Sequence, residues 1–187
     1  MARLARGEDS ALADLYRRWA KPLMGFLYGM CRDRALSEDM VQEVFLKVWR
    51  AAPRYEPRAR FSTWLFQIAR NHWLNVREKA MRRPAGVSLD PVGQGDGDPA
   101  ARLVESLDSG TRTPERKALD RELGERIRAA VERLPERLRE VWMLGAAQGL
   151  PYQEVAEILD IPVGTVKSRM FQAVRSLRAE LEPYASS

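Results

Sequence analysis

One stretch near the C-terminus concentrates the side chains that could recognise another molecule. Residues 162–179 include four basic residues and no acidic one. Helical spacing turns a hydrogen-bonding, cationic and aromatic set to one side, namely Lys167, Ser168, Arg169, Phe171 and Gln172. Side chains of these types bind base edges in the major groove of duplex DNA. The pattern predicts a DNA-reading helix, although a solvated helix packed on a bundle has a similar periodicity.

Covalent and metal chemistry have few candidates by comparison. The sequence has one cysteine, Cys31, and one histidine, His72. Neither an intramolecular disulfide nor a clustered metal site of ordinary ligand spacing can therefore form. The sequence also offers no nucleophile–base set and no carboxylate pair with metal spacing. We interpret Cys31 as a small buried apolar residue and expect no catalytic residue, no metal and no cofactor.

A DNA-reading helix has to be held by a second helix across a tight turn. Residues 152–159 predict a short helix, residues 160–162 a turn, and residues 163–181 a longer helix. At the start of the longer helix, Gly164 and Thr165 would leave backbone N–H groups for a phosphate. The apolar side chains expected to form the shared core of this helix-turn-helix are Val155, Ile158, Leu159, Ile161, Val166, Met170, Val174 and Leu177.

Two further helices are predicted before this pair. Thr113 and Pro114 have the residue types of a helix cap and a first helical position. An apolar stripe at helical spacing then continues to residue 134. Pro135 predicts the start of the next helix and Gly149 its end.

The first part of the chain also follows helical spacing. Apolar residues recur through residues 12–30, and Pro22 is expected to kink or divide that helix. Ser37 is the predicted N-cap of a second helix, which ends near Pro53. A third helix is predicted over residues 61–82, with Trp64, Trp73 and Phe66 as core residues.

Charge and composition divide the chain into three parts. Residues 1–83 hold 17 Lys and Arg against 9 Asp and Glu, which favours a polyanionic partner, with a solvated basic surface as the alternative. Residues 84–112 hold five glycines, three prolines and four aspartates, and predict a flexible acidic linker. Strand-like alternation of useful length is absent. We therefore predict an all-α fold with two small helical domains, residues 1–83 and 113–187, the second containing the helix-turn-helix.

Three strings make a family resemblance specific. PVGTVKSR at 162–169 resembles the promoter-reading segment of bacterial sigma factors, most of all the extracytoplasmic-function (ECF) group. DMVQEVFLKVW at 39–49 is similar to the polymerase-binding helix of that group, and FSTWLFQIARN at 61–71 to its promoter-melting segment. The three strings stand in the order of the family and, with a linker between them, span nearly the whole chain.

The resemblance implies two DNA contacts. At the −35 element it assigns base or groove contacts to the outward set named above and phosphate contacts to Pro162, Gly164 and Thr165. Gln172 stands where relatives can carry a basic residue, so the preferred −35 sequence does not transfer from them. At the −10 element it implies a pocket for an extruded base, and by motif position this pocket involves Tyr55, Ile68 and Asn71. Arg58 and Arg60 would belong to a basic track for the phosphates.

The resemblance also implies protein partners. One side of a helix carries Asp39, Gln42, Glu43 and Lys47, which a solvated face with an i,i+4 pair would explain equally well. In the family this side contacts the β′ clamp helices of core RNA polymerase, and the C-terminal domain contacts the β flap. Because the sequence stops at Ser187 without a sensory domain, regulation is expected from an anti-sigma protein. We expect a cytoplasmic protein without membrane insertion that does not need to form homo-oligomers.

Two other classes of function compete with a sigma factor. An autonomous helix-turn-helix repressor or activator would dimerise on a palindrome, and it leaves the strings at 39–49 and 61–71 unexplained. A nuclease would need a catalytic set that the sequence does not offer. Tight specific binding of duplex DNA by the isolated chain would favour the repressor, and turnover of nucleic acid would favour the enzyme.

Overall fold

The computed structural model describes residues 1–82 and 114–185, and within these ranges every regular element is helical. The described residues divide into two compact units, residues 1–82 with the short stretch 157–159, and residues 114–156 with 160–185. The described residues confirm an all-α fold with two helical units. The predicted linker at 84–112 lies outside them.

The first unit is a bundle of three long helices with a short helix before it. Its elements are α1 (Ala2–Ala5), α2 (Asp9–Cys31), α3 (Arg34–Ala51), a 3₁₀ turn (Ala52–Arg54) and α4 (Phe61–Arg82). Helices α2, α3 and α4 pack on one another in pairs. Phe26 of α2 and Phe66 of α4 are fully buried, with ring centroids 5.6 Å apart in an edge-to-face arrangement. The predicted core role of Phe66 is therefore confirmed.

The junction of α2 and α3 differs from the prediction. Ser37 is not the N-cap of α3, because the helix begins one turn earlier and Asp33 accepts a hydrogen bond from Leu36 N at 2.9 Å. Ser37 lies fully buried inside the first turn, where its hydroxyl donates to Asp33 O. It also lies 3.1 Å from the thiol of Cys31, so that half-buried cysteine has polar neighbours that the sequence interpretation lacked.

Pro22 does not divide the first long helix, because α2 continues as one element from Asp9 to Cys31. The helix ends at Arg32, which adopts the left-handed backbone conformation (φ 61°) and donates its N–H to Tyr28 O at 2.8 Å. The left-handed residue reverses the chain into α3.

The second unit consists of α5 (Pro114–Arg133), α6 (Glu136–Trp142), one π-helical turn (Met143–Ala147), α7 (Tyr152–Leu159) and α8 (Val163–Ala185). Helix α8 packs against α5 and α6. Pro114 begins α5 and Pro135 is the N-cap of α6, as predicted, whereas Thr113 lies outside the described residues.

A π-helical turn leads from α6 towards the helix-turn-helix. Gly149 follows it in the left-handed conformation (φ 68°), which confirms that the helix ends there. Leu150 N donates to Leu144 O at 3.1 Å across this reversal. A methyl group on Gly145 would lie only 2.6 Å from Met170 Cε, so α8 approaches the π turn closely at this glycine.

The helix-turn-helix has the predicted boundaries, and α8 extends to Ala185. Asp160 terminates α7 in the left-handed conformation (φ 54°), and Ile161 N donates to Ala156 O at 3.1 Å. Most of the predicted core residues are buried, namely Val155, Ile158, Leu159, Val166, Met170 and Leu177. Ile161 and Val174 are half-buried.

Candidate nucleic-acid and protein interfaces

The outward face of α8 carries most of the residues predicted to read DNA. Lys167, Ser168, Phe171 and Gln172 are exposed, and Phe171 exposes 70% of its surface. An aromatic ring left in water beside a cationic and an amide side chain costs hydrophobic free energy unless a partner covers it. Arg169 is half-buried and lies at the flank of this face.

Arg175 is a further exposed cation on the same face. It follows Phe171 by four residues and Gln172 by three, so the three side chains are neighbours on the helix surface. The set predicted from sequence ended at Gln172 and omitted it. The basic run at 162–179 already included Arg175, but only the burial pattern along α8 assigns it to the outward face.

The start of α8 is less open to an anion than expected. Pro162 and Gly164 are exposed and Thr165 is half-buried. However, Thr165 N donates to Pro162 O at 2.9 Å. This amide is therefore not free for a phosphate, contrary to the prediction. Gly164, without a side chain, leaves its own backbone uncovered.

In the first unit, an aromatic cluster borders an open pocket. The ring of Tyr55 lies 4.7 Å from that of Trp64 and 6.4 Å from that of Phe61. A cavity of about 650 Å³ opens beside this cluster, lined by Arg50, Ala51, Arg54, Tyr55, Glu56, Arg58, Ala59, Trp64 and Gln67. Trp64 was predicted to be a core residue, but it is only half-buried because one part of it faces this pocket.

The pocket is electropositive. Three arginines, Arg50, Arg54 and Arg58, line it together with one acid, Glu56. Arg58 and Glu56 form an exposed ion pair with 2.7 Å between Nη2 and Oε2. A cavity that combines aromatic faces with an excess of guanidinium groups suits a planar ring attached to phosphate.

The predicted −10 residues lie in three places. Tyr55 and Arg58 line the pocket. Ile68, half-buried, and Asn71, exposed, follow Trp64 by one and two turns on the same side of α4. Arg60 is exposed in the segment before α4.

Helix α3 presents a continuous outward stripe. Asp39, Gln42 and Glu43 are exposed, as a binding role would require. Leu46 and Trp49 extend the stripe along the helix and expose 43% and 52% of their surfaces. The sequence prediction omitted both, because apolar residues in a helix are read first as core.

Lys47 lies at the edge of this stripe and is half-buried. Its ammonium group is 2.8 Å from His72 Nδ1 on α4. Burial lowers the pKa of His72 below its ordinary value of 6.5, and the charge of Lys47 lowers it further. Trp73 follows His72 in the sequence and was predicted to be a core residue. It is half-buried, and its ring Nε1 is shielded from solvent.

Residues 1–82 and 114–185 contain neither a metal-ligand cluster nor a membrane-spanning helix. No group of three His, Cys, Asp or Glu residues that could hold a metal ion occurs in those two ranges. Among the helices described, none is both long enough and apolar enough to cross a membrane.

Comparison with known proteins assigns both units to one family. The family model described as Sigma-70 region 2 matches residues 15–83, and the one described as Sigma-70, region 4 matches residues 124–177. The RNA polymerase sigma-H factor of Pseudomonas aeruginosa is 31% identical over 183 residues, covering 97% of this chain and 91% of that protein. The ECF RNA polymerase sigma-E factor of Haemophilus influenzae is 32% identical, covering 97% of this chain and 93% of its own length.

Solved structures support the same fold. CnrH in complex with the cytosolic domain of CnrY matches with a TM-score of 0.65 and 24% identity, over 97% of this chain and 94% of that one. The sigma factor RpoE of Bartonella quintana, in complex with the anti-sigma factor NepR, matches with a TM-score of 0.66 and 22% identity, over 90% and 97%. The helical units, the family matches and the relatives at more than 30% identity all indicate the same family. The chain belongs to the sigma-70 family of RNA polymerase sigma factors, in its extracytoplasmic-function group.

Proposed function

We propose that this sigma factor directs core RNA polymerase to promoters with a −35 and a −10 element and captures a base of the −10 element as the DNA opens. The observation that carries this proposal is the pocket beside Tyr55 and Trp64, with three arginines around it, in the unit that matches region 2. The residues of that pocket fit the demands of a base taken out of the duplex.

Extruding a base costs a few kcal/mol of stacking and pairing. Stacking on an aromatic ring returns about 1–3 kcal/mol per base, and Tyr55 and Trp64 border the cavity with their rings at a steep angle of 63°. The arginines would neutralise the flanking phosphates. Asn71, two turns along α4 from Trp64, offers an amide that can both donate to and accept from a base edge.

The −35 element would be read by the outward face of α8. Ser168, Phe171, Gln172 and Arg175 would face the major groove, with Lys167 and Arg169 on its two sides. A glutamine can bond to adenine through both polar atoms, and an aromatic ring can contact a thymine methyl group. Pro162, Gly164 and Thr165 would lie against the phosphate backbone, Thr165 through its hydroxyl group.

Core polymerase would bind the outward stripe of α3. The stripe offers charged groups at Asp39 and Glu43 and apolar surface at Leu46 and Trp49, the combination typical of a protein interface with a buried centre. We assign this stripe to the β′ clamp helices and the C-terminal unit to the β flap. Lys47 would contribute at the edge, next to its contact with His72.

We propose that an anti-sigma protein controls the factor by covering these same faces. RpoE of Bartonella quintana was solved with an anti-sigma factor, and the present chain shares its fold. The described exposed apolar side chains, Trp49 and Phe171 among them, provide the kind of surface that such a partner would bury. The factor would act in the cytoplasm, as a single copy per polymerase and without catalytic groups of its own.

Asn71→Ala and Tyr55→Ala test the −10 assignment. Both variants are expected to reduce promoter opening, measured by permanganate reactivity of unpaired thymines, much more than they reduce affinity for core polymerase. Asn75→Ala is the matched control, because Asn75 is an exposed asparagine one turn further along α4. Equal losses of opening and of core affinity would refute the base-capture role.

A separate experiment tests the function as a whole. In vitro transcription with core polymerase should start at specific promoters only when the chain is added. Tight, specific duplex binding by the chain alone, with no stimulation of core polymerase, would instead identify an autonomous regulator.

A further inference from the structure

We propose that α1 is a positioning element for the base-capture pocket, because it holds the 3₁₀ turn that ends at Tyr55. The inference rests on the function proposed for that pocket. Neither α1 nor any other residue before position 15 falls within the family-model matches.

The turn between α1 and α2 is built to fold α1 back. Gly7 has φ 80°, and its N–H donates to Leu4 O at 3.0 Å. Glu8 N donates to Arg3 O at 3.2 Å, which completes the pair of bonds of a Schellman motif. Glycine adopts this backbone conformation without the strain that a Cβ atom would add, so Gly7 favours the reversal.

Arg3 fastens the reversed segment to α2. Its guanidinium group donates to Glu8 Oε2 at 2.8 Å, to Asp14 Oδ2 at 3.0 Å and to Ser10 Oγ at 3.1 Å. Single exposed ion pairs contribute little, but one arginine bound to three groups fixes direction as well as distance. The hydrogen bond from Arg3 also holds the pKa of Glu8 below its usual range.

Helix α1 packs against the 3₁₀ turn as well as against α2. Leu4 is 5% exposed and is the buried residue of α1, and the elements packed against α1 are α2 and the 3₁₀ turn. Within that turn Ala52 is 2% exposed. A four-residue helix that packs here with its leucine buried would restrict movement of the Ala52–Arg54 backbone.

The 3₁₀ turn leads directly into the pocket. Tyr55 N donates to Ala52 O at 3.3 Å, and both Arg54 and Tyr55 line the cavity. Between the turn and the start of α4, residues 55–60 have no regular structure. A 3₁₀ turn has weak internal hydrogen bonds, so packing from outside decides how firmly Tyr55 is held.

Two variants loosen α1 without touching any residue of the pocket. Leu4→Ala removes the buried side chain, and Gly7→Ala strains the reversal. Each has a matched control in the other unit: Leu134→Ala, also 5% exposed, and Gly149→Ala, also at positive φ (68°).

The first measurement is hydrogen–deuterium exchange of the full-length chain. In both variants we expect the hydrogen-bonded amides of Ala52 and Tyr55 to exchange at least about tenfold faster, because the turn opens locally. Amides of α3 and α4 away from the turn should be unchanged, and neither control should alter residues 52–58. Unchanged exchange at these amides in the variants would overturn the inference.

The second measurement is base capture by the reconstituted holoenzyme. Promoter fragments with 2-aminopurine at each −10 position in turn report stacking through fluorescence quenching. Leu4→Ala and Gly7→Ala should weaken capture at least fivefold with unchanged affinity for core polymerase. Faster exchange with unchanged capture would overturn the positioning role.

Tyr55→Ala separates this inference from the proposed function. If capture depends on Tyr55 but not on α1, the inference alone fails. If Tyr55→Ala captures the base as well as the parent chain does, the assignment of the pocket fails and the positioning role falls with it.

Discussion

Trp49 gives the most direct test of the polymerase-binding stripe. A tryptophan side chain has about 250 Å² of surface, and Trp49 leaves 52% of its surface exposed on α3. Covering the remaining surface of about 130 Å² at about 25 cal/mol per Å² contributes at most about 3 kcal/mol to binding. Trp49→Ala is therefore expected to weaken the affinity for core polymerase by up to roughly two orders of magnitude.

The assay is a titration of core polymerase against fluorescently labelled chain, followed by anisotropy. The part of Trp49 that the chain itself covers, about 120 Å² by the same arithmetic, stabilises the fold, so thermal unfolding of the free variant sets the temperature below which the titration is run. Met81→Ala is the control, since Met81 on α4 is 75% exposed and lies off the stripe. It should leave the affinity for core polymerase unchanged.

A folded Trp49→Ala variant that binds core polymerase within twofold of the parent chain would refute the reasoning. Partial loss can be divided with Leu46→Ala, whose exposed surface is smaller. Its effect should be smaller too, and a larger effect would mean that area does not govern this interface.

Three more predictions follow from the structure. Arg169→Ala is expected to weaken −35 binding of the holoenzyme by roughly 1–3 kcal/mol if Arg169 reads a base edge. Arg175→Ala, at a more exposed residue, should weaken the binding by a similar amount. Both losses are measured on fork-junction promoter fragments. Gly145→Val should destabilise the second unit by about 1–3 kcal/mol in urea unfolding, because its side chain would collide with Met170. Because the folded-state pKa of His72 lies below 6.5, the unfolded state binds the proton more readily. The contribution of His72 is therefore complete above about pH 6.5 and is lost as pH falls through and below that value, so thermal stability should decline less on acidification in His72→Gln.

Each of these predictions has a contrary outcome. Unchanged affinity of the arginine variants on a promoter with an intact −35 element would remove them from the interface. Gly145→Ala is the graded control, because the flexible end of Met170 can yield to one methyl group. If Gly145→Val were as stable as the parent chain, α8 would not be held against the π turn. Parallel stability profiles for the parent chain and His72→Gln between pH 8 and pH 5.5 would show that protonation of His72, next to Lys47, does not affect stability.

The family and the helical architecture could be read from the sequence. Periodicity predicted α4, α7 and the start of α8 at their observed residues, since each has one apolar side, and Gly149 and Pro162 mark the boundaries before α7 and α8. The three strings at 39–49, 61–71 and 162–169 carried the family assignment, which the comparisons confirm. The residue contacts with DNA and polymerase remain predictions.

Local signals gave the wrong N-cap for α3 and left open whether Pro22 kinks or divides α2. Ser37 is a good N-cap by type, but Asp33 lies one turn earlier and its carboxylate accepts the amide of Leu36. Pro22 forbids one backbone hydrogen bond, yet the packing of α2 on α3 and α4 keeps the helix continuous.

The opening interpretation of α8 as a DNA-reading helix depended on residue type and spacing, which the sequence alone determined. Tertiary structure decided which side chains remain exposed, because burial depends on neighbours from distant elements. It placed Arg175 outward and Arg169 at the flank, turned Trp64 towards a pocket, and left Leu46 and Trp49 in water. A sequence pattern identifies an apolar side of a helix, but only the packed partner determines which apolar residues it covers.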